Sequence, residues 1–355
     1  MDRHLSRPCH HAVRAGRQLS GRCATRLARP AIGMKPKRNR QTMKSIYVLV
    51  TMDVEPALAE GCRPEGASGP MSYADSERFI AGYDAIASEF GFPVTYMVHP
   101  EATRQHAALL RRLAANGACL GLHLHPWKFA SGRYPDHFGA LTGPQQYAIV
   151  SEAAAIWMDA IGHRPPFFRP GTFSANDMSF EVLETLGFEG GSLSAPGRVY
   201  PHLNAVWAGA EPDPHRGHAA FRQVPGELDF VNIPLSVDLS VLEDRDGRRF
   251  FWDLRPDWLA ADYRTIATNI VGQLMIRDPA VPVVHVVTHN DNDYSDPDDR
   301  VCRNFRSVLD AVNRAIGEAG ARPVGATFAD ICPRVRETAA RTGQTPLADA
   351  TLLTG

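Results

Sequence analysis

The chain has 355 residues, 44% of them apolar and 22% charged, with a formal net charge of −1, a balance that belongs to globular proteins and not to disordered or fibrous ones. No run reaches the ~18 consecutive apolar residues of a membrane span, and no short apolar segment marks a secretory signal. The near-zero charge hides an asymmetry: residues 1–43 carry eleven Lys/Arg against the single acid Asp2, so the rest of the chain sums to −11, and an acidic body argues against a nucleic-acid-binding surface.

Residues 1–43 show no apolar periodicity and read as a basic tail or a mis-assigned start. From there strands and helices alternate. Residues 45–51 (SIYVLVT) form a short β-branched run, hence a buried strand. Residues 76–90 carry helical spacing and stop at Gly91, and residues 93–98 (PVTYMV) give a second strand. Residues 102–115 read as one helix closed by Asn116-Gly117, and residues 118–122 as a third strand. A helix over 145–161 ends at Gly162, a strand stub covers 166–168, and a helix covers 179–186. Strands over 230–237 and 281–288, a helix over 301–319 and a strand over 323–327 complete the series, with 197–227 left as a Pro- and Gly-rich insertion. Repeated β-then-α with short connections predicts a parallel α/β sheet with helices outside. Residues 44–335 make the expected catalytic domain and 336–355 a C-terminal tail. The six cysteines have no CxxC spacing and read as reduced thiols, which with the absent export signal points to the cytoplasm.

In such architectures the site lies beyond the carboxyl ends of the strands. The residues there are Asp53 and Glu55, His99, His123 and His125, Arg169, and His289 with Asn290. Period-two alternation puts Asp53 and Glu55 on one side of their strand, so that one can ligate a metal while its neighbour serves as general base. The other reading of the pair is a loop- or helix-capping couple. His123 and His125 at i, i+2 can share one divalent ion through imidazole nitrogen, and Trp127 beside them can wall a sugar subsite. Soft thiolate ligands are absent, and a His/His/carboxylate set suits Zn, with Co, Ni or Mn as alternatives. Arg169 can hold a carboxylate bidentately or tie down structural carbonyls. His289 suits general-acid work, whereas His285, four residues earlier in the same strand, reads as a buried supporting histidine. Asn290 is a candidate substrate contact. His99, His202, His215 and His218 read as ordinary histidines. Residues 290–299 lack the glycine and closing glutamate of a calcium loop, and nothing resembles a nucleotide-binding loop.

With these residues laid out, the chain resembles the polysaccharide deacetylase family, the NodB-homology domain of carbohydrate esterase family 4, from about residue 46 to 332. Thr51-Met52-Asp53 looks like its opening T-F-D motif, and 93–98 is similar to its "ATFFV" strand. Leu109 to Gly117 looks like its "LVRRIAAEG" helix and turn, and Gly121 to Pro126 is similar to its His-rich metal motif. Phe168-Arg169-Pro170-Gly171 looks like its arginine motif, Val284 to His289 its late-histidine strand, and Phe328-Ala329-Asp330-Ile331 its closing motif. The resemblance implies a distorted (β/α)7 barrel that hydrolyses N-acyl groups on amino sugars with one divalent metal. It implies Asp53 as base, Arg169 as its orienter, His289 as acid, and His123 and His125 as ligands. Two departures stand out: Val54 replaces the family's second Asp, which passes the carboxylate ligand to Glu55 or to Asp53 in a changed role, and the histidines are closer than the usual i, i+4. An amidase acting on other non-peptide C–N bonds and a non-catalytic carbohydrate-binding member are the competing expectations. The partner is an N-acylated sugar or glycoconjugate, and the oligomeric state is not legible.

Overall fold

The computed structural model describes residues 43–58, 69–130, 132–245, 248–258 and 261–342; the basic segment 1–42 lies outside them, as do Cys9, Cys23 and Cys62. The sheet is built on β1 (Ser45–Val54), β2 (Val94–Val98), β3 (Cys119–Leu124), β4 (Phe167–Pro170) and β5 (Gly190–Gly191), adjacent in that order and parallel. The strand Val231–Asn232 continues the row beyond β5, and Val283–His289 pairs with the other edge of β1. Arg322–Gly325 also pairs with β1, along its first residues. The result is a curled, barrel-like α/β sheet with helices on its outer face.

Among the described residues no ladder joins the two ends of this row; the seam is made by His285. Its backbone N–H donates to Ser236 Oγ at 2.8 Å, and its Nδ1 donates to the Pro234 carbonyl at 3.0 Å. Pro234 has no N–H, so its side of the seam offers only a carbonyl, and the His285 side chain donates to it.

Alternation along the strands separates two apolar layers. Val48, Val50, Met52 and Val54 of β1 pack with Phe79, Ile80 and Tyr83 of the helix Tyr73–Glu89. Leu49, Met97, Cys119, Phe167 and Val283 point the other way and pack with Phe328, Ile331 and Cys332, which plug the inner floor. The same parity, carried up each strand, turns Thr51, Asp53, His123, Arg169, His285 and His289 inward above that floor. The fold thereby raises one column of polar residues over an apolar base.

Helix ends follow local chemistry. Ser72 caps Tyr73–Glu89 by accepting from the Asp75 N–H, and Thr142 with Gln145 forms a capping box on Gly143–Ile161, which ends at Gly162 with φ of 99°. Four expectations need correction. The helix expected over 102–115 is two, Pro100–Gln105 and Ala107–Ala115, broken at His106. The helix Tyr263–Arg277 was not expected, because its polar and apolar residues do not segregate cleanly in sequence. The strand expected over 230–237 is Val231–Asn232 followed, past Pro234, by the hairpin Val237–Arg245 and Arg248–Asp253. The last helix, Phe328–Thr342, runs past residue 335 into the expected tail. Cys119, Cys302 and Cys332 are buried free thiols. Among the described residues no helix is long and apolar enough to cross a membrane.

Candidate active site

The inward column meets at the carboxyl ends of β1, β3, β4 and Val283–His289. Parallel register sets Asp53 beside His289 and His123 beside Arg169, so residues 46 to 236 positions apart in sequence share one cleft.

Arg169 is wholly buried. Its Nη1 donates to Asp53 Oδ1 at 2.6 Å, and its Nη2 donates to Thr51 Oγ1 at 3.0 Å and to His285 Nε2 at 2.9 Å. His285, with Nδ1 committed to Pro234, presents a lone pair on Nε2 to that guanidinium; burial and the Arg169 charge pull its pKa down to about 3, which keeps it neutral. Burial pushes the Asp53 carboxyl up, but Arg169, His123 and His289 outweigh it and hold Asp53 below the ordinary carboxylate value. Its second oxygen faces His289 Nε2 at 4.0 Å.

Glu55 forms the other half. Its Oε1 lies 3.0 Å from His123 Nε2 and 2.9 Å from His125 Nε2, and its Oε2 accepts from Lys128 Nζ at 3.0 Å. His123 Nδ1 donates to the Arg169 carbonyl at 3.0 Å, which leaves Nε2 as the free lone pair of the neutral ring. The Glu55 oxygen facing that lone pair needs a positive centre between them, a proton or a metal ion. Burial opposes ionisation of Glu55, yet His125 and His123 hold it well below its usual range. Burial likewise opposes a charge on His123, but Asp53 and Glu55 raise its pKa; burial pulls His125 down to about 4. The ligand atoms of Glu55, His123 and His125 all lie within 4.8 Å of one another, and His125 Nδ1 is buried without a hydrogen-bond partner. A carboxylate and two imidazoles, one braced from behind by a carbonyl, fit a divalent first-row ion.

Two expected substrate contacts are placed differently. Asn290 is wholly buried with its amide consumed: Oδ1 accepts from the Glu55 N–H at 2.8 Å, and Nδ2 donates to the Glu55 carbonyl at 3.1 Å and to Ser76 Oγ at 2.8 Å. It positions Glu55 and has no donor left for a substrate. Trp127 turns its ring edge-on to His125 at 5.6 Å and is not among the residues lining the cleft; its place in the short helix Pro126–Phe129 directs it against the histidine.

Sequence reasoning also passed over several residues. Lys128 follows the histidine motif but carries no spacing signal of its own. His99, set aside as an ordinary histidine, is fully buried, with both ring nitrogens unpartnered and a pKa lowered by burial to about 3. The roof over the cleft comes from the insertion, which contributes Arg198 and Tyr200, and from the hairpin and the residues just after it, which contribute Phe251, Asp253 and Arg255. Proline and glycine content marks such a segment as irregular and does not say where it folds back.

The architecture is that of the NodB-type polysaccharide deacetylases. The chain superposes on a proposed polysaccharide deacetylase from Mycobacterium smegmatis with a TM-score of 0.52 and 16% identity, over 83% of this chain and 91% of that one. A proposed glycoside hydrolase/deacetylase from Parabacteroides distasonis gives a TM-score of 0.57 and 14% identity, over 83% and 72% of the two chains. No family model and no curated protein matches the sequence.

Proposed function

We propose that this chain is a metal-dependent hydrolase that removes N-acetyl or similar acyl groups from an amino sugar or glycoconjugate. The observation that carries the reading is the placement of two separately tuned carboxylates in one cleft: Glu55 gathered with His123 and His125, and Asp53 clamped by Arg169 beside His289. Glu55, His123 and His125 would hold one divalent ion, with Zn the best match to the donor set and Co, Ni or Mn as alternatives. Such an ion supplies Lewis-acid polarisation and eases the deprotonation of water. The fold shared with proposed deacetylases agrees with this chemistry.

Asp53 keeps one oxygen on Arg169 and turns the other to the cleft, where it accepts a proton from the attacking water. Water oxygen adds to the acyl carbon. The C–N bond then breaks, and His289 delivers a proton to the departing amine nitrogen. Arg169 keeps Asp53 ionised and aimed, and is itself held by Thr51 and His285. The products are a carboxylate and a free amino sugar.

The test is the metal content of the purified full chain beside the His123→Ala/His125→Ala double variant, with acetate release from N-acetylated sugars measured on both. About one ion per chain, lost with turnover in the variant, supports the reading. Equal absence of metal from both proteins after reconstitution with Zn would overturn it.

A further inference from the structure

The roof of the cleft holds more buried positive charge than it neutralises. Asp253 is a buried carboxylate spent on Arg255, which donates from Nε to Oδ1 at 2.8 Å and from Nη2 to Oδ2 at 2.7 Å, while Trp258 Nε1 adds a third bond to Oδ1 at 2.8 Å. Arg198 shares the same pocket and reaches Asp253 only at 3.8 Å. Among the described residues its one hydrogen bond runs from Nη1 to the Thr172 carbonyl at 3.1 Å. Its side chain is only 14% exposed, and burial, with Arg255 close by, pulls its pKa down to about 10. The exposed Asp257 lies in the field of Arg255, and the rim cation Arg249 is paired with Asp244 at 3.3 Å. Arg198 is therefore the cation with incomplete compensation.

Its position is fixed by the catalytic side of the cleft. Phe173 presents its ring to Arg169 at 5.6 Å and to Arg198 at 5.0 Å, so the two guanidiniums flank one side chain. Thr172 and Phe173 both take positive φ, 58° and 57°, a backbone that L side chains adopt only when surroundings impose it. Arg198 holds the Thr172 carbonyl and Trp207 Nε1 donates to the Phe173 carbonyl at 2.7 Å. The insertion thus clamps the turn that follows Arg169 and leaves a cation facing the cleft.

We propose that Arg198 is a specificity residue which binds an oxyanion on the substrate, a carboxylate or a phosphate, so that the enzyme acts on acidic amino-sugar derivatives in preference to neutral ones. The proposal rests on the hydrolase reading above for the identity of the sugar. A guanidinium left with N–H donors facing a partly desolvated cleft gains charge-assisted bonds from such a group and gains nothing comparable from a hydroxyl.

The experiment measures binding of three deacylated sugars to the metal-loaded full chain by titration calorimetry: methyl glucosaminide, glucosamine 1-phosphate and muramic acid. All three carry the same amine and are not consumed. At least one acidic probe is expected to bind about tenfold or more tightly than the neutral one, and which of them does so distinguishes phosphate from carboxylate. Arg198→Gln removes that preference by weakening the acidic sugars' binding far more than the neutral sugar's, whereas Arg198→Lys, which keeps the charge, retains part of it. Raised salt narrows the preference in the wild type alone. Equal binding of all three sugars, no binding of either acidic sugar, or an equal loss for all three in the Arg198→Gln protein overturns the proposal. Acetate release from methyl N-acetylglucosaminide, measured beside it, shows whether the hydrolase reading survives that result.

Discussion

Arg169 and Asp53 form a fully buried ion pair at 2.6 Å whose cationic partner makes two further bonds, to Thr51 and His285. Because His285 also closes the barrel seam through Pro234, the geometry of the proposed base is tied to the closure of the sheet. Removing one partner of a buried pair leaves the other charged and unsolvated, at a cost of about 3–5 kcal/mol. Arg169→Met is expected to lower unfolding stability by that amount in urea titrations. Asp53→Asn keeps an oxygen for Arg169 but leaves that guanidinium buried without a counter-charge, so it is expected to lose stability on a similar scale and to reduce turnover by about a hundredfold or more. Unchanged stability in Arg169→Met, or full turnover in Asp53→Asn, would contradict the assignment.

Gly171 sits against His125. A Cβ on residue 171 would fall 2.1 Å from His125 Nδ1 and 2.2 Å from Cε1, inside the ring's own volume. Gly171→Ala is therefore expected to swing His125 away from Glu55 and weaken metal affinity by about tenfold or more, in the range found when groups that orient a ligand are lost. Competition titration with a chromophoric chelator measures this, with circular dichroism confirming that the fold is kept.

If Glu55, His123 and His125 bind an ion in the folded state only, the ion must stabilise the chain. At a free metal concentration of one hundred times Kd the gain is about 2.7 kcal/mol. Thermal melts of the wild type are expected to rise with added Zn and to fall again with chelator, while the melt of Glu55→Gln stays insensitive to both. A metal-dependent rise of equal size in Glu55→Gln would remove Glu55 from the ligand set.

The inner column of the site was legible because two simple rules converge on it: parity along a strand selects a face, and a parallel sheet places function at strand ends. Asp53, Glu55, His123, His125, Arg169 and His289 all satisfied both rules. Asn290 satisfied them only in part, since a residue just past a strand end can turn back to its neighbour's backbone, as it does to Glu55. The roof was not legible, because the hairpin Val237–Arg245 and Arg248–Asp253 pairs within itself and no periodicity in it points to the distant strands it covers. Arg198 is the sharpest case: its significance comes from Phe173 and Asp253, respectively 25 and 55 positions away in sequence.

Acid stability follows from three buried histidines outside the proposed ligand set. Burial lowers His99 and His285 to about 3 and His215 to about 4, from an ordinary value of 6.5. In the unfolded chain each takes up a proton as pH falls through 6.5, while in the folded chain each stays neutral until pH approaches its own lowered value. The unfolded state thus binds more protons across this window, and stability rises with pH inside it. The contribution is fully present above about 6.5 and is lost progressively down to 4 for His215 and 3 for the other two. Each histidine costs about 1.4 kcal/mol per pH unit inside its window. The carboxylates Asp53 and Asp253, both held below 3.8, add their own loss only under more acidic conditions. Urea titrations at pH 7, 6 and 5 are expected to show a steady fall in unfolding free energy below about 6.5. In His215→Asn that slope is shallower by about 1.4 kcal/mol per pH unit. A wild-type stability that stayed level or rose between pH 6 and 5 would mean that these rings are charged in the folded protein, contrary to the Arg169 bond that His285 accepts on Nε2.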